Sequence, residues 1–458
     1  MKKKIKIIIL IGFLINILFS FYYIQNYNDY EKIDTDGEFR HNLIKGINEN
    51  HWLKAYILKK DIKSGKNFLE SGDTYNRNYL PSINFYIYAL LSGDELYEEN
   101  EKNLKISQSS KKIFFLIFQS LLYSISLIFL FNSINKSFSN RFAFIFILIL
   151  ALEPTINQWH QSFYSASIFI SLQLFLLSFF FKNNLENKHL IFIGLILGLL
   201  FAQRSAAVFY YFVVLFYFIF FVHEKKLKKI AVFTISYLSI LLFILVHNYN
   251  RSGLTYITPL DQRTALYHYL EPIILSSTTK QEEILETKKK IKQSLDEWKE
   301  KKNLNLDNEK DLLIYYDEMK KRSLISILNN PIRSFKIITN KIFHSGLLDP
   351  VHIYFFHTTE YEGVNPYYGS KLHKSIVNYR LIYSLIIYCL VIYGFVIATK
   401  KLEKKTIFFI TFSYIYFLLI LGWMGSTRYY ASCLIFVIFF LSYGIEVFIK
   451  KNKCKFFI

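Results

Sequence analysis

Three carboxylates, Asp34, Asp36 and Glu38, fall within five residues of one another, shortly after an apolar stretch from Ile5 to Ile24 ends. A carboxylate in that place can deprotonate an acceptor hydroxyl or amine, or hold a divalent cation against a phosphate leaving group. Partial burial near lipid would raise its pKa toward the working range. A solvated acidic turn would use the same residues. A second acid, Glu153, stands between Leu152 and Pro154 where another apolar stretch stops, with Gln158, His160 and Gln161 close behind it. An ionisable group there either snorkels to the interface or belongs to a polar wall facing the first loop. Arg77 lies in the run Tyr75-Asn76-Arg77-Asn78-Tyr79-Leu80-Pro81, while Arg204, Arg251 and Arg428 each sit at the end of an apolar stretch. Guanidinium forks suit phosphate, and they serve equally as interfacial anchors.

Other chemistries lack their residues. His344, His352 and His357, with Asp349 and Glu360 near them, have no HExxH or Cys/His metal spacing, so no metal site is expected from motifs, and a divalent cation at the acidic cluster stays open. No P-loop, GxGxxG or GxSxG element occurs, which weighs against an ATP-driven pump, a nucleotide cofactor and an α/β-hydrolase. The three cysteines, Cys389, Cys433 and Cys454, form no disulfide framework. A net charge of +20 could suggest nucleic acid, but the Lys and Arg cluster beside apolar segments, where membrane topology places them, and no nucleic-acid partner is expected.

The elements that must carry these residues are transmembrane helices. Blocks of roughly twenty apolar residues match the thickness of a bilayer's hydrocarbon. The expected spans are Ile5–Ile24, Ile113–Ile134, Phe142–Leu152, Phe163–Phe181, Leu190–Ala202, Ala206–Val222, Ile230–Val246, Tyr379–Ala398, Ile407–Trp423 and Tyr430–Ile449. The first follows Lys2, Lys3, Lys4 and Lys6 and lacks a small-residue cleavage pattern, so it reads as an uncleaved anchor. The fold class is therefore an all-α integral membrane protein of about ten transmembrane helices with two large, helix-containing extracytoplasmic loops. Its expected divisions are an anchor (1–24), a first loop with the acidic motif (25–112), a transmembrane bundle (113–247), a second, helical loop (248–378), further transmembrane helices (379–449) and a basic cytoplasmic tail (450–458). Charge supports this alternation. The N-terminus, Lys136 with Arg141, Lys182 with Lys188, the run Lys225 to Lys229, the run Lys400 to Lys405 and the tail all fall on one side, and the short loops opposite hold only Arg204 and Arg428. Both termini are thus expected in the cytoplasm. In the second loop, Thr279–Lys301 and Asn308–Leu328 have helical spacing, and Pro331 opens a basic amphipathic stretch through Ile342, which reads as surface helix.

Taken together, these features resemble the GT-C superfamily of membrane glycosyltransferases, especially the bacterial branch similar to protein mannosyltransferases and lipid A aminoarabinose transferases. The resemblance rests on the anchor helix, the acidic exit motif at Asp34 to Glu38, Tyr79-Leu80-Pro81, Glu153-Pro154, the helix end Gly194, Gly198, Ala202, Arg204, and Arg428-Tyr429 before the last span. It implies a sugar taken from a polyprenyl-phosphate donor and passed to an extracytoplasmic lipid, glycan or protein acceptor at the cell inner membrane. It also implies Asp36 or Asp34 as base, Glu153 as second acid, and Arg77, Arg204, Arg251 and Arg428 as ligands of the donor phosphate. Glu38, Tyr79, His160 and Tyr429 would line the substrate pocket. The sequence departs from the family in having Phe39 where a tyrosine follows the acids, Gly37 between the acids, no soluble C-terminal domain and a large second loop. A surface-polysaccharide polymerase or ligase is the alternative reading, and a transporter or flippase the next, although the spans hold little buried charge.

Overall fold

The computed structural model describes residues 2–27, 57–60, 67–70, 97–100, 103–106, 112–157, 160, 166–182, 185–257, 266–267, 270–276, 281–306, 309–343, 371–421 and 427–451. Among the described residues, each of the ten apolar stretches carries a helix, because a backbone in hydrocarbon must satisfy its own polar groups. By length and composition, three helices among the described residues are apolar enough to cross a bilayer, within Leu116–Ser137, Lys226–Asn250 and Tyr430–Lys451, and four shorter apolar helices lie between the first two. The protein is an all-α membrane protein, with two small hairpins added.

The chain divides into two compact units. The first comprises Met1–Tyr30, Ser109–Ile240 and Ile342–Ile458. It holds α1 (Lys2–Tyr27), α2 (Lys112–Ser137), α3 (Asn140–Leu152), the single turn α4 (Pro154–Asn157), α5 (Ala166–Phe180), α6 (Asn187–Gln203), α7 (Tyr210–Phe221), most of α8 (Lys226–Ser252), α13 (Lys371–Lys401), α14 (Lys404–Leu421) and α15 (Thr427–Lys451). Within it α1 packs on α2 and α3, α2 on α5, and α5 on α6, while α15 meets α3, α4, α5, α13 and α14. The core is aromatic. Phe142, Phe146, Phe169, Phe409 and Phe417 are buried, and the Phe439 ring meets those of Phe138, Phe142, Phe146 and Phe181. Gly394 and Gly444 let α13 and α15 approach closely: a methyl on Gly444 would lie 2.5 Å from the Leu390 carbonyl oxygen, and one on Gly394 would overlap the Phe440 carbonyl oxygen.

The second unit comprises Glu31–Gln108 and Leu241–Lys341. Its described elements include α9 (Glu271–Leu275), α10 (Gln281–Lys301), α11 (Glu309–Asn329) and α12 (Pro331–Phe343), which ends just beyond the unit's boundary. Helices α10 and α11 turn back through Asn303, which holds φ of 51°, a left-handed conformation that asparagine tolerates. Tyr267, Leu295, Tyr315 and Met319 form the unit's core, with Ile291 and Trp298 packed on it. The buried Glu271 carboxylate accepts hydrogen bonds from the Ser323 hydroxyl at 2.6 Å and the Ser326 hydroxyl at 3.0 Å, which ties α9 to α11.

The hairpins were not among the expected elements. Strand β1 (Ile57–Lys60) pairs antiparallel with β2 (Asn67–Glu70), Ile57 opposite Glu70, and β3 (Tyr97–Asn100) pairs with β4 (Asn103–Ile106), Tyr97 opposite Ile106. Four-residue strands are too short for alternation to announce them.

Candidate active site

Helix α3 starts on an N-cap, Ser139, whose hydroxyl accepts the Phe142 N–H at 3.1 Å, and stops at Leu152 because the next residue precedes a proline. Glu153 is the residue left at that break. Its backbone N–H closes the last turn on the Ile149 carbonyl at 2.8 Å, and its half-buried carboxylate accepts the Thr155 N–H at 3.3 Å. A buried amide chain fixes the break. Asn157 donates through Nδ2 to the Ala151 carbonyl at 2.9 Å and the Glu153 carbonyl at 3.0 Å, and its Oδ1 accepts Asn16 Nδ2 at 3.1 Å. A side chain of α1 is thereby joined to the end of α3. The two helices can come this near because residue 12 is glycine, where a methyl would stand 2.7 Å from the Ala151 carbonyl oxygen.

His160 is fully buried. Its ring stacks on Tyr123 with centroids 4.0 Å apart, and Nδ1 meets the Ser167 hydroxyl at 2.7 Å. Tyr123 in turn donates to the Leu150 carbonyl at 2.6 Å, one turn before Glu153. Burial holds the His160 pKa down, to about 3 from 6.5, so the imidazole is neutral at ordinary pH.

Arg204 occupies the sharp junction between α6 and the short 3-10 turn Ser205–Ala207, and is 5% exposed. Its guanidinium lies over the Phe169 ring, 5.4 Å from the centroid. Phe169 and Ser167 are two residues apart on α5, so Arg204 and His160 grip the first turns of the same helix within about 3 Å of rise. Further along α5, Gln173 donates to the Ser432 carbonyl of α15 at 3.3 Å. His160 and Arg204 thus meet the start of α5 through Ser167 and Phe169, on opposite faces of the helix, while Glu153 sits at the end of α3.

The remaining expected site residues are placed less fully. Asp34, Asp36, Glu38, Arg77 and Tyr79 lie outside the described residues, so their distance from Glu153 does too. Arg251 stands on the last turn of α8, and Arg428 and Tyr429 on the first turn of α15; for these the backbone alone is described. Helix α15 packs against α4 and α5, the elements flanking His160. Among the described residues, no group of three or more His, Cys, Asp or Glu side chains is gathered that could hold a metal ion.

Asn16, Tyr123, Asn157 and Ser167 went unforeseen. Asn16 had a legible signal, an amide in the middle of an otherwise apolar span, which has to find a polar partner. Asn157 had none beyond its nearness to Glu153.

Residues 104–249 match the family model of the dolichyl-phosphate-mannose-protein mannosyltransferases. No curated protein sequence matches the chain. Among solved structures it is similar to the oligosaccharyltransferase of Archaeoglobus fulgidus tethered to an acceptor peptide containing the NVT sequon, at 12% identity and a TM-score of 0.48. It is also similar to the archaeal oligosaccharyltransferase AglB of Archaeoglobus fulgidus in complex with an inhibitory peptide and a dolichol-phosphate, at 13% identity and a TM-score of 0.47. Each likeness covers 97% of this chain and 50% of the archaeal one, so the chain spans about half the length of those proteins. The stretch that matches the mannosyltransferase family model, about a third of the chain, contains Glu153, His160 and Arg204.

Proposed function

We propose that this protein is a membrane glycosyltransferase, which takes a sugar from a polyprenyl-phosphate carrier and transfers it to an acceptor on the extracytoplasmic face of the cell inner membrane. The observation that carries the reading is the family match over residues 104–249, a stretch that includes Glu153, His160 and Arg204. A lipid-linked donor also agrees with the absence of any nucleotide-binding motif.

In the proposed reaction a carboxylate, Asp36 or Asp34, takes the proton of an acceptor hydroxyl or amine. The acceptor's oxygen or nitrogen forms its bond to the anomeric carbon as the bond from that carbon to the phosphate oxygen breaks. The electron pair leaves with the carrier phosphate. Positive charge held near the leaving oxygens lowers the barrier, and Arg204 is the best-placed group, since its guanidinium is buried and its fork matches a phosphate. Arg77, Arg251 and Arg428 are assigned to the same phosphate, and Glu153 is the second acid. Glu38, Tyr79, His160 and Tyr429 are assigned to the substrate pocket. Both termini are assigned to the cytoplasm, the two long loops (25–112 and 248–378) to the outer face.

The test is transfer of radiolabelled sugar from a panel of polyprenyl-phosphate sugars into membrane acceptors, in vesicles of known orientation. The family is named for dolichyl-phosphate mannose and a protein acceptor, so these head the panel. Transfer on the outer face that disappears in Asp36→Asn or Asp34→Asn, with expression unchanged, supports the reading and identifies the base. No transfer from any donor, with the variants indistinguishable in a cellular glycan profile, would move the assignment to a polysaccharide polymerase or a transporter.

A further inference from the structure

The junction of α11 and α12 is turned inside out for a surface facing water. Its polar side chains point inward: Ser323 and Ser326 bond the buried Glu271, Arg333 donates to the Ile273 and Ser276 carbonyls, and Ser334 is buried with its hydroxyl on the Ile327 carbonyl at 3.1 Å. Its large apolar side chains point outward. Leu328, Ile332 and Phe335 are 74%, 85% and 73% exposed, and Leu324 and Ile325 extend the patch up α11. The hydrogen bonds fix this orientation, because rolling either helix to bury the apolar residues would strip Glu271 and the α9 carbonyls of their partners.

We infer that this corner is an interfacial anchor whose Leu328, Ile332 and Phe335 enter the acyl boundary of the outer leaflet while surrounding cations bind anionic lipid headgroups. Between Glu318 and Asp349 the chain carries Lys320, Lys321, Arg322, Arg333, Lys336 and Lys341 and no acidic residue, the charge complement of an anionic lipid surface. Lys320, Lys321 and Lys336 are exposed beside the apolar patch. The unit's second segment begins within α8, whose stretch Lys226–Asn250 is long and apolar enough to cross a bilayer, so the chain leads to the patch from a helix of membrane-crossing length. A second copy of the chain is a poor occupant, since two such faces would oppose like charges.

The test places a nitroxide at Ile332→Cys or Phe335→Cys in the full chain, with Cys389, Cys433 and Cys454 replaced by serine, in nanodiscs containing phosphatidylglycerol. Lys289→Cys, on an exposed position of α10, is the aqueous reference. Power saturation with oxygen and with a water-soluble nickel chelate reads depth. The expected result is a several-fold preference for oxygen over nickel at 332 and 335, and the reverse at 289. Nickel access at 332 and 335 equal to that at 289 overturns the proposal, as does protection from both reagents, which would mean a protein partner or second copy covers the patch. A photo-reactive benzoyl-phenylalanine at Phe335 in the otherwise unaltered chain gives an independent reading. Lipid adducts support the anchor, and protein adducts or none oppose it.

Discussion

Glu153 is held in place by its backbone more than by its carboxylate. Asn157 bonds the two carbonyls flanking Leu152 and receives Asn16, so the carboxylate leaves a fixed point shared by α1, α3 and α4. Replacing Asn157 by leucine leaves several buried polar atoms without it, and the expected loss is about 1–3 kcal/mol. Thermal unfolding in detergent would read it. Asn16→Leu should destabilise less, and the double variant should fall short of additive by about 0.6 kcal/mol, the usual size of an interhelical side-chain hydrogen bond in a membrane protein. Additive effects would mean that the two amides do not act together. Glu153→Gln keeps shape and removes charge; with folding intact, transfer is expected to fall about 100-fold or more if this acid joins the proton transfer or orients the acceptor. The neutral His160 makes a separate statement about pH. Its folded pKa of about 3 lies below the unfolded 6.5, so the unfolded chain binds a proton that the folded chain refuses. Stability attributable to this group is complete above pH 6.5 and drains as pH falls toward 3, and His160→Gln should flatten that part of the thermal-stability profile. A slope unchanged in the variant would assign it to other groups.

Among the elements, the apolar helices were legible because hydrocarbon imposes length and composition on anything that crosses it, and the stops were legible where proline or lysine set them. Helix α3 shows where that reasoning thins. Its 13 residues rise only about 20 Å, and the single turn of α4 that follows at Pro154 is one that periodicity could not reveal. The hairpins at 57–60 with 67–70 and at 97–100 with 103–106 were invisible for a related reason, each strand being shorter than the pattern needed to detect it. Helix pairing was also unreadable, since an apolar helix looks alike on every side. The glycines are the exception in hindsight: Gly394 and Gly444 mark the close crossing of α13 and α15. Gly444→Leu should force the two helices apart, lowering stability by about 1–3 kcal/mol. A leucine at Ile386, which is exposed on α13, should leave the melting temperature unchanged. Equal effects at the two positions would show that the crossing is not tight.

At the scale of the whole molecule, the proposed chemistry stands or falls with sidedness. A polyprenyl-phosphate sugar can be used outside, where there is no nucleotide sugar, only if Glu153, Arg204 and the two long loops share the outer face. The charge distribution argues for that arrangement: the excess of 55 Lys and Arg over 35 Asp and Glu is concentrated in the N-terminus, the tail and the loops between them on one side. Cys454 lies in the basic tail and offers a direct probe, because Cys389 and Cys433 both lie within helices and can be replaced by serine. In intact spheroplasts a membrane-impermeant maleimide should leave Cys454 unlabelled, and permeabilisation should expose it. A cysteine at Lys289 should react before permeabilisation. Labelling of Cys454 in intact cells, with the cysteine at Lys289 protected until permeabilisation, would invert the whole chain and turn Glu153 and Arg204 toward the cytoplasm. The lipid-linked donor would then lose its topological support, since a cytoplasmic site has nucleotide sugars at hand and this chain has no motif to bind them.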